Sequence, residues 1–157
     1  MPCFGGEYQN ETGGVACKDC QANTFSDESN STVCKPCGNG TVSEEGATFC
    51  SPCEAGKYMS NSVCESCPKG YFSVYGQDAC KECTQGKYAS YHNSKQEEAT
   101  ECALCPAGTH GKASQTAAER LSAADACEDC SSGKYSSATG VVAESDCNEC
   151  PPGKYSS

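Results

Sequence analysis

The apolar positions of this chain are spaced from its cysteines. A glycine stands three residues, and an aromatic residue five residues, after the second cysteine of a Cys-x-x-Cys pair: Gly56 and Tyr58, Gly70 and Phe72, Gly86 and Tyr88, Gly133 and Tyr135, Gly153 and Tyr155. Gly6 and Tyr8 keep the same frame after Cys3. Asn23 and Phe25 fill the two slots in the second unit, and Val42 and His110 take the aromatic slot in the third and seventh. Polar stretches follow, with turn signals at Gly13, Gly14, Gly46, Gly76 and Gly140. This pattern predicts sparse secondary structure, with short strands in hairpins around 57–58 and 134–136. The one helical candidate is 114–125, rich in alanine with Glu119, Arg120 and Leu121; one to two turns or a free loop both fit it.

The glycine slot points to a backbone with φ > 0 or a close approach by another segment. Asn23 fits that reading, because asparagine best replaces glycine in the left-handed region. The aromatic slot is expected to lie over the disulfides, leaving the third and seventh units less well covered.

The complete pairs are Cys17/Cys20, Cys34/Cys37, Cys50/Cys53, Cys64/Cys67, Cys80/Cys83, Cys102/Cys105, Cys127/Cys130 and Cys147/Cys150, and Cys3 is the second half of a ninth. A period this regular makes the chain a stack of small units. They are repeats 3–17, 20–34, 37–50, 53–64, 67–80, 83–102, 105–127 and 130–147, with the start of a ninth at 150–157. The opening of each unit stays fixed while its return leg varies in length, as expected of a demanding turn followed by a tolerant surface loop.

Composition changes what can hold such units together. Leu, Ile, Val and Phe number thirteen of 157 residues, far below the roughly 20% under which a chain without other help is disordered. The seventeen cysteines exceed the roughly 8–10% that marks a disulfide scaffold. One disulfide closing a loop of about 15 residues removes chain entropy worth roughly 3 kcal/mol. Disulfides persist outside reducing compartments. Three Asn-x-Ser/Thr sequons, at Asn10, Asn30 and Asn39, are candidate N-glycan acceptors in a secreted protein. The expected location is therefore extracellular or at the cell surface. No signal peptide and no apolar run of about 20 residues is visible. The chain opens and closes in mid-motif, which predicts a segment of a longer array.

A net charge of −10 argues against nucleic acid as a partner. Many acids lie inside the pairs themselves (Asp19, Glu65, Glu82, Asp129, Glu149) and read as a solvated acidic surface. Loose calcium binding is the sharper reading, but no Asp-x-Asp-x-Asp-Gly loop supports it.

Sequence does not fix cysteine connectivity, but the odd count narrows it. Pairing each second cysteine (the opening cysteine of a unit) with the next first cysteine (its closing cysteine) gives Cys3 with Cys17, Cys20 with Cys34, Cys37 with Cys50, Cys53 with Cys64, Cys67 with Cys80, Cys83 with Cys102, Cys105 with Cys127 and Cys130 with Cys147. Only Cys150 is left over. A crosswise scheme, such as Cys17 with Cys34 and Cys20 with Cys37, leaves Cys3 over instead. The first scheme is preferred because the stretch of variable length then always separates the same two positions, with each Cys-x-x-Cys a hinge between loops. Two Cys-x-x-Cys pairs about 13 residues apart are also a zinc pattern. Against zinc stand the sequons, Cys3 in a matching frame, and a signature tied to every unit rather than every second one. A thioredoxin-like redox role needs a βαβ setting that is absent.

The stretches Cys-Pro-Pro-Gly-Lys-Tyr-Ser-Ser at 150–157, Cys-Ser-Ser-Gly-Lys-Tyr-Ser-Ser at 130–137 and Cys-Pro-Ala-Gly-Thr at 105–109 resemble the cysteine-rich repeats of tumour necrosis factor receptors. They are more similar still to the ephrin-receptor-like repeats of protist and algal surface proteins. The resemblance spans essentially the whole chain. It implies the sequential pairing, an elongated rod and an extracellular location. Every unit here is of the single-loop kind, whereas the receptors mix in double-disulfide modules. The expected fold class is thus small and disulfide-rich: an elongated tandem array of single-disulfide loops with short β-hairpins and little regular secondary structure.

Two functions fit such an array. The first is structural, as part of an extracellular filament, flagellar hair or surface coat, with the chain itself or other extracellular repeat proteins as partners and N- or O-glycans as decoration. The second is a ligand-binding or adhesion ectodomain of a surface receptor. Its contact surface would be the long loops 83–102 and 105–127, with Tyr88, Tyr91 and His92 as the one cluster outside the signature; a plain solvated loop is the alternative there. An enzyme is not expected. The two histidines fall in different units, and no Gly-x-Ser-x-Gly, His-Glu-x-x-His or phosphate loop is present. No cofactor or metal is expected.

Overall fold

A computed structural model describes residues 2–91 and 98–155. Eight disulfides close eight successive loops: Cys3–Cys17, Cys20–Cys34, Cys37–Cys50, Cys53–Cys64, Cys67–Cys80, Cys83–Cys102, Cys105–Cys127 and Cys130–Cys147. Cys150 is free. The loops are numbered one to eight in that order below. This is a small disulfide-rich fold with little regular structure.

Each loop contains one two-stranded antiparallel hairpin. Its first strand starts just after the slot residue, and its second is, or includes, residues of the dipeptide inside the next Cys-x-x-Cys. Thus Glu7 pairs with Asp19 and Tyr8 with Lys18, while Thr24 pairs with Pro36 and Phe25 with Lys35. The dipeptides expected as hinges are therefore strands. The next opening cysteine continues the ladder by donating its N–H to the slot carbonyl: Cys20 to Gly6 at 2.8 Å, Cys37 to Asn23 at 2.9 Å, Cys105 to Gly86 at 2.9 Å. The longer hairpins are Lys57–Ser60 with Val63–Ser66, and Lys87–Ser90 with Glu101–Leu104.

The helical candidate at 114–125 resolves into two single turns, a 3₁₀ turn at Ala117–Glu119 and an α turn at Ala123–Ala126. Arg120 breaks them apart with a non-helical backbone, and Ser122 caps the second by accepting from the Asp125 N–H.

The interior is sulfur and small side chains. Opening cysteines Cys20, Cys53, Cys83 and Cys105 are at most 1% exposed. The residue after the aromatic slot is buried too, as Ser26, Ser73, Ala89 and Ser136. The slot aromatics are only half-buried in Tyr8, Phe25, Tyr58, Phe72 and Tyr88, and Tyr135 is exposed. Adjacent strand residues face opposite ways, so when the small residue turns inward the aromatic lies along the flank. Two pack against clusters that include cysteines of the next disulfide: Phe72 against Cys83, Ala89 and Ala99, and Tyr88 against Cys105, Ala126 and Cys127. His110, expected to cover its unit poorly, is buried.

The chain divides into two compact units. One comprises 1–65 with 75–79, the other 66–74 with 80–157. Among the described residues no helix is long and apolar enough to cross a membrane.

Candidate functional site

The recurring structural site is the junction between one loop and the next. In the first unit it is built mainly from backbone, with one side-chain bond, from the Ser43 hydroxyl to Thr24 O at 2.9 Å. Between loops one and two, the Gly6 N–H donates to Ser26 O at 2.8 Å, and the Asn30 N–H donates to Cys3 O at 3.0 Å. Between loops two and three, Asn23 donates to Ser43 O at 2.9 Å, Ser26 to Ala47 O at 3.2 Å, and Gly46 to Cys20 O at 2.8 Å. The last of these bonds has a fixed logic: a return-leg residue with φ > 0 turns its N–H onto the opening cysteine of the loop before. Asn30 (φ 61°), Gly46 (φ 74°), Gly76 (φ 74°) and Gly140 (φ 72°) all do so, the last two onto Cys53 O and Cys105 O at 2.8 Å.

Carbonyls of the return legs explain the slot glycine. A Cβ on Gly6 would run into the carbonyl of Gly46, one on Gly40 into that of Gly76, and one on Gly70 into that of Ala117; one on Gly86 would lie 2.8 Å from Gly140 O. Each partner lies two loops further along. At these four positions the slot needs glycine twice over, for its left-handed φ (86° at Gly6, 80° at Gly70) and for backbone contact, whereas Gly108, Gly133 and Gly153 have no atom within 4 Å of a Cβ. Asn23, at φ 65°, meets only the first need.

In the second unit side chains take over some of these bonds. The Gly70 N–H donates to the Tyr91 hydroxyl at 3.0 Å. The carbonyl of Cys83 accepts from Arg120 Nη1 at 2.8 Å. Arg120 is the single arginine of the chain. Its guanidinium, nearly buried, also reaches Gln115 O and, at 3.1 Å, Glu82 Oε1. Its own carbonyl accepts from the Ala89 N–H at 3.0 Å. Between loops seven and eight the backbone pattern returns, with Gly108 on Ser136 O at 2.8 Å and Gly111 on Val141 O at 2.9 Å. There His110 Nε2 also meets Glu144 Oε2 at 2.9 Å, and Glu144 Oε1 takes the Ser131 N–H at 3.2 Å and Lys134 Nζ at 3.3 Å. Hydrogen bonding from Ser131, then Lys134, holds the Glu144 carboxyl below its usual range, against some desolvation. Glu119 is held low likewise by the Thr116 N–H and hydroxyl, at 2.8 and 2.9 Å.

The three sequon asparagines are exposed and lie together in the first unit. Asn10 Oδ1 accepts from Lys18 Nζ at 3.2 Å. Asn30 doubles as the left-handed return residue of loop two, which accounts for an asparagine there without any glycan. Of the aromatic cluster in loop six, Tyr88 and Tyr91 pack inward against neighbouring cysteines and alanines; His92 lies outside the described residues. Glu144 escaped the sequence reading, which named Arg120 in the helical candidate and Tyr91 in the loop-six cluster but not the bonds they make. The one signal available was that a lone arginine sat in the longest loop.

Two groups of metal-ligand type occur among the described residues, Cys3 with Glu7 and Cys17, and Cys130 with Glu144 and Cys147. Both pairs of sulfurs are oxidised. Compared with models of known protein families and with curated proteins, the chain matches none. Eight disulfides are compatible with an extracellular protein.

Proposed function

We propose that this chain is an extracellular structural repeat protein, a part of a filament, flagellar hair or cell-surface coat, kin to the tumour necrosis factor receptor-like and ephrin-receptor-like repeats. The observation that carries the reading is the junction itself. Most of its bonds in the first unit, and again between loops seven and eight, run between backbone groups at fixed distances from the cysteines, so loops can be added with few demands on side chains. An array of this kind is open-ended, with its stability summed over near neighbours. A structural element needs that property more than an enzyme does. The chain has itself or similar extracellular repeat proteins as partners and carries N-glycans at Asn10, Asn30 and Asn39. A ligand-binding ectodomain has less support, because Tyr88 and Tyr91 are spent on internal packing.

Electron microscopy of native material is the test. Ordered fibres are the expected result, and dispersed monomers at high concentration would overturn the reading. A non-reducing peptide map with glycan analysis tests the compartment separately; unmodified asparagines with reduced cysteines would remove the extracellular assignment.

A further inference from the structure

Loop four breaks a rule that other loops keep. The slot glycines of loops one, three, five and six each lie against the carbonyl of a return leg two loops on, at Gly46, Gly76, Ala117 and Gly140. The same spacing assigns the return leg of loop four to the slot of loop two. Loop four is the shortest of the eight, its cysteines 11 positions apart. It turns straight back through Asn61 and Ser62, at φ 48° and 68°, the two left-handed residues of a tight hairpin turn. The slot of loop two accordingly holds a side chain, Asn23, whose Oδ1 is buried without a hydrogen-bond partner. Two further groups that junctions elsewhere use have no partner among the described residues. They are the Cys37 carbonyl, counterpart of Cys20 O, and the Ser43 N–H, counterpart of the Ser26 N–H. A groove of about 680 Å³ lies here, lined in part by Asn23, Val42, Ser43, Ala47, Phe49 and Val63. Phe49 and Val63 are 66% and 52% exposed.

We propose that this groove is a self-association site that takes the return leg of loop one from a second copy of the chain. The contact rests on the structural role proposed for the chain and supplies the self-partner that role calls for. The leg matches the seat in frame and in chemistry. Gly13 stands four residues before its closing cysteine, as Gly46 and Gly76 do, and has the same left-handed backbone, at φ 80°. In loop three, Gly46 donates to Cys20 O, and Ala47 beside it accepts from the Ser26 N–H. The corresponding groups of loop one, the Gly13 N–H and the Gly14 carbonyl, have no partner among the described residues, whereas the return legs of loops two, three, five and eight are already bonded. Gly13, Gly14 and Val15 are exposed, Val15 completely. Seated in the groove, the Gly13 N–H meets Cys37 O, the Ser43 N–H meets Gly14 O, and Val15 covers Phe49 and Val63. Both bonds are ones that the chain already makes between its own loops, so the contact continues the existing junction. Leg and seat are different surfaces. The contact is therefore heterologous and propagates as an open chain unless its rotation closes a ring.

The test uses the full chain with its disulfides intact, measured by sedimentation and hydrogen exchange over a range of concentrations. The mass of the native chain is expected to rise with concentration, and exchange at the Ser43 amide to slow at least about tenfold on association. Val15→Lys alters the leg and Phe49→Lys the seat, both at largely exposed side chains. Each should weaken self-association at least about tenfold. Val33→Lys, at an equally exposed position outside the groove, controls for the added charge and should associate as the native chain does. An equimolar mixture of the Val15→Lys and Phe49→Lys chains has one intact leg and one intact seat, and should stop at a 1:1 pair. A native chain that stays monomeric, equal weakening by Val33→Lys, a mixture that does not pair, or association with Ser43 exchange unchanged would each overturn the site. Fibres in native material from a chain that is monomeric here would keep the structural role and remove this contact. Association here without native fibres would do the reverse.

Discussion

The junction between loops two and three and the junction between loops six and seven do the same work with different groups. In the first, Cys20 O is met by a backbone N–H, that of Gly46. In the second, Cys83 O is met by the guanidinium of Arg120. The cysteines of loop three are separated by 13 positions in sequence and those of loop seven by 22. A short return leg brings its own peptide to the preceding loop. The longer leg spends residues on two helical turns and reaches the same acceptor with a side chain. What is held constant is the satisfaction of a buried carbonyl, because leaving one unmet costs about 1–3 kcal/mol. The identity of the donor is free to vary.

The largest effect that would sharpen this comparison comes from adding one methyl group. Gly70→Ala places a Cβ against the backbone of Ala117 and Ala118 at a left-handed φ of 80°. Overlap with backbone and φ strain together should cost roughly 3–5 kcal/mol. Gly108→Ala has a similar φ, 85°, but no atom within 4 Å, so strain alone should cost about 1–2 kcal/mol. Denaturant melts with the disulfides intact measure the difference. Equal losses would show that second-neighbour contact contributes nothing.

Arg120→Met comes next. It keeps the aliphatic stem but leaves Cys83 O and Gln115 O without their donor, for an expected loss of about 2–4 kcal/mol. Lys35→Met, which removes an exposed ion pair with Asp27 at 2.7 Å, should leave the melt unchanged. If both variants melt alike, the guanidinium is no substitute for the backbone bond. Tyr91→Phe is a smaller cut. It removes the acceptor of the Gly70 N–H and should cost about 1 kcal/mol, with faster hydrogen exchange at Gly70 as the local sign.

How far these features could be read from sequence depends on whether they repeat. The left-handed slot was legible at Asn23, where the one exception to glycine was the residue best suited to φ 65°. The turn signals at Gly46, Gly76 and Gly140 were legible as turns. Their partners were not, because a glycine records that something comes close and not which segment it is. The aromatic slot misled in part: a period of five from the cysteine says nothing of which strand face turns inward, and the buried residue proved to be the small one after it. Arg120 and Tyr91 occur once each in their roles. A pattern argument has no purchase on a single occurrence, and both lie in loops whose length varies.

Acid provides the mildest way to separate the backbone junctions of the first unit from the carboxylate bonds inside loops seven and eight of the second. The bonds at Asn23 and Gly46 join backbone to backbone and contain no titrating group. In the second unit, Glu119 holds the Thr116 N–H and Glu144 holds the Ser131 N–H, and both carboxyls titrate below their usual value of 4.5. For a carboxyl lowered by folding, the stabilisation is present above the unfolded value and is lost as pH falls through the folded one. Taking the sample from about pH 6 to below about pH 4 should therefore weaken protection of the Thr116 and Ser131 amides, after correction for intrinsic exchange, while Asn23 and Gly46 keep theirs. Protonated Glu144 would at the same step release Lys134, 3.3 Å away. Protection lost in parallel at all four amides would mean that acid acts through global unfolding. It would also mean that these carboxylate bonds are no more separable from the fold than the backbone junctions.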